Sequence, residues 1–301
     1  MLDVRKLRLL RELAHRGTIA AVADALAYTP SAVSQQLAAL ERETGVRLLE
    51  RSGRRVVLTP AGTLLAEHAE TVLAVLERAS AALAATRSGL AGPLRIGAFP
   101  SAVRTILPPA LVALGRDHPG LELMVTELDP AAAPAALRDG TLDVALVHDY
   151  DYVPIEPDPA LDTEPLIEET IYLASSAGTP GAAVDPLTGP IGGHRETSWI
   201  VGSPDTLCHL MTVRACQAAG FTPRVRHRAD DFAAVLALVA AGQGVALVPR
   251  LGAVDPPPNV VLTALPTRRR TRLAYRRGRR DHPAVTAWIT ALRTSAAAYA
   301  S

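Results

Sequence analysis

The stretch TIAAVADALAYTPSAVSQQLAALERE, residues 18–43, contains two short helical patterns separated by a tight turn. Thr18 is a suitable N-cap for the first helix, because its hydroxyl can accept a free backbone N–H of the first turn. Thr29 can cap the second helix in the same way, and Pro30 follows at the first helical position, where its missing N–H costs nothing. The stretch therefore predicts a pair of helices joined at Ala27–Tyr28.

The second helix has an apolar face and a polar face. Val33, Leu37 and Leu40 recur at helical spacing and are predicted to point into a core. The outward side chains and the capping threonine can donate and accept hydrogen bonds: they are Thr29, Ser31, Ser34, Gln35 and Arg42. Such side chains bond base edges and phosphates in the major groove of DNA. For a helix taken alone, an ordinary solvated polar face is the alternative interpretation.

The flanking residues favour DNA binding. An amphipathic helix is predicted over residues 4–15, and a β-hairpin over residues 46–59. The hairpin turn ERSGRR carries Arg51, Arg54 and Arg55, which at a wing tip would contact phosphates or the minor groove. Residues 1–60 hold ten basic and six acidic side chains, whereas residues 92–267 hold ten basic and twenty acidic ones. A basic head on an acidic body predicts that only the head meets a polyanion.

A long helix is predicted after the hairpin. Thr59-Pro60 again provides a cap followed by proline, and nothing in residues 61–87 interrupts a helix. Four aliphatic side chains form a stripe of approximately heptad spacing: Leu65, Val72, Leu76 and Leu83. At about 1.5 Å per residue this helix is roughly 40 Å long, too long to bury against the head. We expect it to pair with the same helix of a second chain, with packing along its own domain as the alternative.

Strand and helix patterns alternate beyond a hinge at residues 88–93. Strands are predicted at LRIGAF, LELMVTEL, DVALVH, residues 165–173, SWIVG, PRVRHR, GVALVP and TRLAYR, with helices between them and at residues 284–299. Such alternation predicts βαβ units and a largely parallel sheet. The Gly- and Pro-rich residues 178–193 predict a loop or a poorly ordered segment.

Residues 20–62, AAVADALAYTPSAVSQQLAALERETGVRLLERSGRRVVLTPAG, resemble the winged helix-turn-helix head of LysR-type transcriptional regulators. The matching residues include Val22-Ala23, Leu26, the run Ser31 to Ser34, Gln36-Leu37, Leu40-Glu41, Gly45, Leu48 to Arg51, Leu58-Thr59 and Gly62. Pro30 is a departure, because many members carry glutamine there. LRIGAFPSA, DVALV and AAGQGVALVP resemble the effector-binding half of the same family, whose fold is similar to that of periplasmic binding proteins.

The resemblance implies a multidomain fold: an all-α winged helix-turn-helix with a long linker helix, followed by an α/β domain of two subdomains. The expected ranges are 1–60 for the DNA-binding domain, 61–91 for the dimerising linker helix and hinge, and 92–301 for the effector-binding domain. Subdomain I is expected at about 92–163 and 267–301, and subdomain II at about 164–266. The chain is expected to cross between them near Asp162–Pro165 and Pro266–Arg268.

Ligands of open α/β sheets bind beyond the carboxyl ends of the strands. Six side chains are predicted to bind an effector there: Ser101, Asp129, His148, Asp149, Ser203 and Thr206. Ser101 opens a helix, where it forms either an anion site or a plain cap. Asp129 and Asp149 either line the cleft or lie in solvated loops. If both line it, a dianion is repelled, so we expect a small polar effector with a cationic group, such as an amino acid.

Two further features, a pair of cysteines and an arginine-rich run, are explained by ordinary packing and charge pairing rather than by a separate function. Cys208 and Cys216 lie on one predicted helix about 12 Å apart, too far to form a disulfide without unfolding. Some LysR-type regulators sense peroxide through two cysteines in this subdomain; Cys216 falls where one of them would be, but Cys208 is one position from the other. We therefore expect two semi-buried cysteines. The arginine-rich residues 268–280 predict a strand whose charges pair with the acidic body, rather than a second DNA contact.

Other function classes fit the sequence less well. No GxSxG, P-loop, HExxH or paired-carboxylate motif indicates an enzyme, so no catalytic residue, cofactor or metal site is expected. A solute-binding protein would share the body but not the head. No stretch resembles a transmembrane helix, and MLDVRKLRLL lacks signal-peptide features, so a cytoplasmic protein is expected. The expected partners are double-stranded DNA with an inverted-repeat operator, a small-molecule effector and further copies of the chain. A homodimer and, by family analogy, a homotetramer are expected, and RNA polymerase is a further candidate partner.

Overall fold

The computed structural model describes residues 2–52, 55–87, 89–178 and 189–299. The head consists of α1 (Val4–Arg16), α2 (Ile19–Leu26), α3 (Pro30–Thr44) and an antiparallel hairpin of β1 (Leu49–Ser52) and β2 (Arg55–Leu58). The threonine caps form as predicted, since Thr18 accepts the N–H of Ala21 and Thr29 that of Ala32. The apolar faces of the three helices meet in a single core, whose fully buried members include Leu10, Val22, Val33, Leu37 and Leu40.

The linker helix α4 (Pro60–Ala85) packs along α1 and continues beyond the head. Gly62 lies in its first turn, where an added Cβ would be 2.1 Å from the carbonyl oxygen of Leu48. Only glycine permits this approach, so the start of the linker is fixed against the base of the hairpin.

The body contains one six-stranded sheet and a smaller two-stranded one. Its strands are β3 (Ala91–Ala98), β4 (Gly120–Glu127), β5 (Val144–Tyr150), β6 (Leu161–Ser176), β7 (Ser198–Val201), β8 (Arg224–Arg228), β9 (Ala246–Pro249) and β10 (Val260–Arg276). The large sheet has the order β4-β3-β5-β10-β6-β9, and β7 pairs with β8. Pairing is parallel around β3 and between β7 and β8, but antiparallel along β6 and β10. The prediction of a largely parallel sheet was therefore wrong for these two long strands.

Helices cover the sheets, and each subdomain has its own buried core. They are α5 (Pro100–Arg104), α6 (Leu107–Asp117), α7 (Ala133–Asp139), α8 (Gly189–Gly192), α9 (Leu207–Ala218), α10 (Phe232–Ala240) and α11 (Pro283–Ala296), with short 3₁₀ turns at Arg250–Gly252 and Ala297–Tyr299. Trp288 is fully buried in the core of subdomain I, and Trp199 in that of subdomain II. Most of the predicted loop over residues 178–193 lies outside the described residues, and Gly189–Gly192 form the short helix α8 instead.

The two long strands connect the subdomains. Arg269–Tyr275 of β10 pairs with β5, whereas Ile171–Ala174 of β6 pairs with β9. The crossing in β6 therefore lies near Thr170, several residues after the predicted Asp162–Pro165. The reason is that Pro165, expected to begin the strand, lies at a bulge within it, where proline is tolerated. The crossing in β10 coincides with a register shift between Ala264 and Arg268, close to the predicted place.

Candidate DNA interface and effector cleft

Helix α3 presents the predicted polar face to solvent. Val33, Leu37 and Leu40 on the opposite face are buried. The five predicted side chains of the helix and its cap are all exposed: Thr29, Ser31, Ser34, Gln35 and Arg42. The hydroxyls of Thr29 and Ser31 lie 3.0 Å apart. Because the face projects from a rigid three-helix core, it can enter a major groove without rearrangement.

The hairpin is held beside this helix by a contact that sequence reasoning missed. The Oε1 atom of Glu41 accepts the backbone N–H groups of Leu48 and Leu49 at 2.9 and 3.1 Å, which ties the end of α3 to the hairpin. The predicted wing residue Arg51 is exposed on β1. Arg55 begins β2, and Arg54 lies outside the described residues.

The linker helix carries an unpartnered apolar stripe. Val72, Leu76 and Leu83 are 37%, 45% and 69% exposed, as a helix that pairs with a second chain requires. Leu65 instead packs against the core of the head. Leu64 and Val75, which neighbour the four predicted positions, are also exposed.

A cavity of about 240 Å³ lies between the two subdomains. It brings together four of the six predicted effector residues: Ser101, Asp129, His148 and Thr206. Its other polar or aromatic lining residues are Phe99, Glu127, Cys208, Asp230, Phe232 and Arg269. The ends of β3, β4 and β5 and the start of α9 meet here, at the carboxyl edge of the sheet, where the fold predicts a ligand site.

Two predicted residues do not line this cavity. Adjacent side chains of a strand point to opposite faces, so Asp149 lies on the far side of β5 from His148. There its carboxylate pairs with Arg270 at 3.1 Å and Arg272 at 3.6 Å. The Ser203 hydroxyl donates to Asp230 at 2.6 Å, and its backbone N–H donates to the same carboxylate at 2.7 Å. Ser203 therefore positions Asp230 rather than contacting the cavity directly.

A buried ion pair lies behind the cavity. Arg269 and Glu169 are 0% and 3% exposed, and their side chains form a salt bridge. Glu169 also accepts the backbone N–H of Leu251 at 2.8 Å. Burial opposes the charge of Arg269, but the neighbouring carboxylate more than offsets this, so the pKa of Arg269 is raised. The sequence signal for this pair was one charged residue at an inward position of each long strand. Glu169 falls between two buried isoleucines, and Arg269 between two buried threonines.

The ion pair determines what Ser101 can do. Arg269 Nη2 donates to the Ser101 hydroxyl at 3.1 Å, and the guanidinium lies over the Phe99 ring at 4.7 Å. Ser101 is buried on a helix of five residues and already has a charged partner. The Ser101 hydroxyl therefore already accepts a hydrogen bond from within the chain, and Glu169 neutralises the charge of that donor.

Two carboxylates face the cavity from opposite sides. Asp129 follows β4 in subdomain I, and Asp230 follows β8 in subdomain II. Burial raises the pKa of Asp129, the N–H groups of Ala131 and Leu207 oppose the rise, and the charge of Asp230 adds to it. The two carboxylates thus repel each other unless a positive group lies between them.

His148 and Cys208 add neutral groups to the same cavity. His148 lies between the rings of Phe99 and Tyr150 at 4.6 and 5.0 Å, and neither of its ring nitrogens has a hydrogen-bond partner. Burial, reinforced by the charge of Arg269, lowers the pKa of His148 well below its usual value. The Cys208 thiol lies 3.2 Å from the Tyr150 hydroxyl, and burial raises its pKa.

The second cysteine lies in the core. Cys216 is fully buried, and burial raises its pKa to about 12. The prediction of semi-buried cysteines holds for Cys208 and underestimates the burial of Cys216.

The arginine-rich run pairs with the acidic body, as predicted. Arg270 bonds Asp149 and Asp151, and Arg280 bonds Glu164, whereas Arg276 bonds Glu77 of the linker helix. Among the described residues, no group of three or more potential metal ligands comes together. Over the same ranges, no helix has the length and apolar character needed to span a membrane.

Residues 4–63 match the family model described as bacterial regulatory helix-turn-helix protein, lysR family, and residues 87–297 match the LysR substrate binding domain. The chain belongs to the LysR family of transcriptional regulators. It is thus a LysR-type regulator that binds DNA through its helix-turn-helix and carries an effector-binding domain, and its homologues are regulators rather than enzymes.

Relatives and solved structures support this assignment. A probable hydrogen peroxide-inducible genes activator of Mycobacterium avium is 34% identical over 245 residues, covering 81% of this chain and 76% of the relative. A protein of the same description from Mycobacterium xenopi is 39% identical over 174 residues, 58% of this chain and 89% of the relative. A cysteine variant of OxyR from Corynebacterium glutamicum has a TM-score of 0.56 at 27% identity, covering 97% of this chain and 91% of that one.

Proposed function

We propose that this LysR-type regulator binds an inverted-repeat operator as a homo-oligomer, and that a small polar effector with a cationic group controls the binding from the inter-subdomain cleft. The observation that supports this class of effector is a pair of carboxylates, Asp129 and Asp230, which line one cavity from the two opposite subdomains. A cation between them would relieve their repulsion and favour closure of the cleft. Control is then a shift of population between open and closed arrangements.

The DNA-binding part of the proposal rests on α3 and the hairpin. Gln35 and Arg42 are exposed on α3, in reach of base edges, and Arg51 is exposed on the hairpin, in reach of the backbone. A footprint on the upstream region of the regulator's own gene should protect two half-sites related by inversion. Arg51→Ala should weaken binding to all sequences and reduce the salt slope by about 1. Protection of one isolated half-site would contradict the inverted-repeat arrangement.

The proposal that the chain forms an oligomer rests on the exposed apolar stripe of α4. Val72, Leu76 and Leu83 are 37%, 45% and 69% exposed in the single chain and would be buried by the same helix of a second copy. A tetramer would bring two such dimers onto one operator. Relatives named as activators support RNA polymerase as a further partner of the DNA-bound oligomer.

The effector proposal can be tested by thermal-shift screening. Arg269 contributes little net charge because Glu169 neutralises it, so Asp129, Asp230 and Glu127 leave the cavity acidic. Amines and amino acids should raise the melting temperature, and Asp129→Asn should abolish the rise. A rise produced only by dicarboxylates would refute the proposed effector class.

Hydrogen peroxide acting at Cys208 is a second candidate signal. It is favoured by the thiol lining the cavity and by the relatives named as hydrogen peroxide-inducible genes activators. The raised pKa of the thiol opposes it, because the thiolate is the reactive form. Peroxide treatment followed by mass spectrometry should reveal sulfenic acid at Cys208 if this candidate is correct. A peroxide response retained in Cys208→Ser would eliminate it.

A further inference from the structure

Helix α7 connects the effector cleft to the DNA-binding head. The turn before it carries Asp129 and Pro130, which line the cleft cavity. Its last residues, Arg138 and Asp139, contact α1 of the head. Seven residues of helix at about 1.5 Å each separate these two ends by roughly 10 Å.

At the head end, arginines of α1 cap the C-terminus of α7. Arg8 Nη2 donates to the carbonyl oxygen of Asp139 at 2.9 Å, and Arg11 Nη2 donates to that of Arg138 at 3.5 Å. Arg16 Nη2 lies 3.7 Å from the Asp139 carboxylate. The last carbonyls of a helix lack intrahelical partners and carry partial negative charge, so cations stabilise them.

Two of the three capping arginines, Arg11 and Arg16, are held in place by carboxylates of the head and the linker helix. Glu12 is fully buried, and its carboxylate contacts Arg11 at 2.9 Å and Arg16 at 2.7 Å. Glu70 of the linker helix also pairs with Arg11, at 3.4 Å. Because these side chains are already ordered by the head, little entropy opposes their contact with α7.

At the cleft end, one carboxylate holds the turn before α7 and lines the cavity between the subdomains. Asp129 accepts the N–H of Ala131, in the turn that leads into α7, at 2.9 Å. Leu207, the first residue of α9 in subdomain II, is near enough for its backbone N–H to oppose the rise in the pKa of Asp129. A cation drawn to this carboxylate and to Asp230 would pull on the turn that Asp129 holds.

The linker helix provides a fixed point about which the head can tilt. Gly278 has a φ of +85°, and an added Cβ would be 2.4 Å from the carbonyl oxygen of Ala74. Glu77, one turn further along α4, bonds Arg276 at 2.7 Å. The linker is thus held against subdomain I at its middle, whereas the head is held through α1 and α7.

We propose that α7 couples the effector cleft to the orientation of the DNA-binding head of the same chain. A displacement of the Asp129 turn moves the C-terminus of α7 and therefore the arginine contacts that fix the head. The helix would move as a unit, because Ala133 and Leu137 of α7 are both fully buried in one cluster with Ala145 and Ala274 of the sheet. The inference rests on the proposed control by the cleft and names the route of that control.

Hydrogen exchange measured by mass spectrometry on the full chain, without ligand, tests the coupling from both ends. Arg8→Ala removes one cap of α7 and should speed exchange in the turn over residues 128–132 by roughly fivefold or more, the lower range of allosteric coupling. Asp129→Asn should speed exchange in α1 by a similar factor, because coupling is reciprocal. Arg5→Ala is the matched control, since Arg5 lies on α1 but is exposed and away from α7.

Circular dichroism melts of each variant establish that it is folded at the temperature of exchange. Faster exchange at the remote end in both Arg8→Ala and Asp129→Asn, with Arg5→Ala unchanged, supports the coupling. Changes confined to the mutated end, or equal changes in Arg5→Ala, overturn it. Failure of amines to bind would refute the effector proposal without altering these exchange rates, so the two proposals fail separately.

Discussion

Replacement of Glu169 by glutamine should destabilise the effector domain more than any change of an exposed charge. The variant keeps the size of the side chain and the acceptor for the Leu251 N–H, but it leaves the Arg269 guanidinium buried without a counter-ion. Arg269 is fully buried, and its remaining partners are a hydroxyl and an aromatic ring. Neither can replace a carboxylate.

Removal of one partner from a buried ion pair costs about 3–5 kcal/mol, and we expect a loss in this range for Glu169→Gln. The neighbouring Glu168→Gln is the matched control. Glu168 lies on the same strand, its side chain is 58% exposed, and it contacts Arg270 at 3.5 Å and Arg268 at 3.8 Å. An exposed pair of this kind contributes about 0–1 kcal/mol.

Urea unfolding followed by tryptophan fluorescence provides the measurement, because Trp288 and Trp199 are each buried in one of the two subdomain cores. A double variant, Arg269→Met with Glu169→Leu, should recover most of the lost stability, since the uncompensated charge is removed. A loss in Glu169→Gln no larger than that in Glu168→Gln would refute the reasoning, and so would a double variant less stable than the single one.

Three other outcomes follow from the structure. Leu83→Glu should weaken self-association in analytical ultracentrifugation without lowering the melting temperature of the monomer, because this side chain is exposed; unchanged association would contradict the role of the stripe. Burial lowers the pKa of His148, so as pH falls this imidazole is protonated in the unfolded chain before it is protonated in the folded one. The contribution of the buried neutral imidazole to the free energy of unfolding is therefore complete above about pH 6.5 and is lost below it. His148→Leu should therefore flatten the fall in unfolding free energy between pH 7 and 5, by at most about 1.4 kcal/mol per pH unit; an unchanged slope would argue against a buried neutral imidazole. Cys216, with a pKa of about 12, should resist iodoacetamide at pH 8 until the protein unfolds. Rapid labelling of Cys216 in the native chain, located by peptide mass spectrometry, would show that the core opens.

Local sequence patterns were enough to predict the helices of the head and the linker. Thr18 and Thr29 cap their helices as their positions predict, because a cap depends on a few adjacent residues. The apolar faces of α1 to α3 follow from helical periodicity alone, and Val72 and Leu83 are exposed on the long helix as expected.

The cleft was harder to predict because its members come from distant parts of the chain. Asp149 and His148 are adjacent on one strand, so the alternation of side chains along that strand is by itself enough to exclude one of them from the cleft. Proline usually marks a strand boundary, but a bulge accommodates Pro165 within β6. The partnership of Glu169 with Arg269 depends on the register of two strands 100 residues apart, which no local pattern specifies.

The central claim is that the exposed face of α3 recognises a specific DNA sequence. Fluorescence anisotropy should compare the affinity of full-length wild type, Gln35→Ala and Gln217→Ala for the footprinted operator and for random DNA at one salt concentration. Gln217 is exposed on α9, in the effector domain, and serves as the control. Gln35→Ala should lose about 1–3 kcal/mol on the operator and almost nothing on random DNA, with Gln217→Ala unchanged on both. Equal losses of Gln35→Ala on operator and random DNA would contradict the claim.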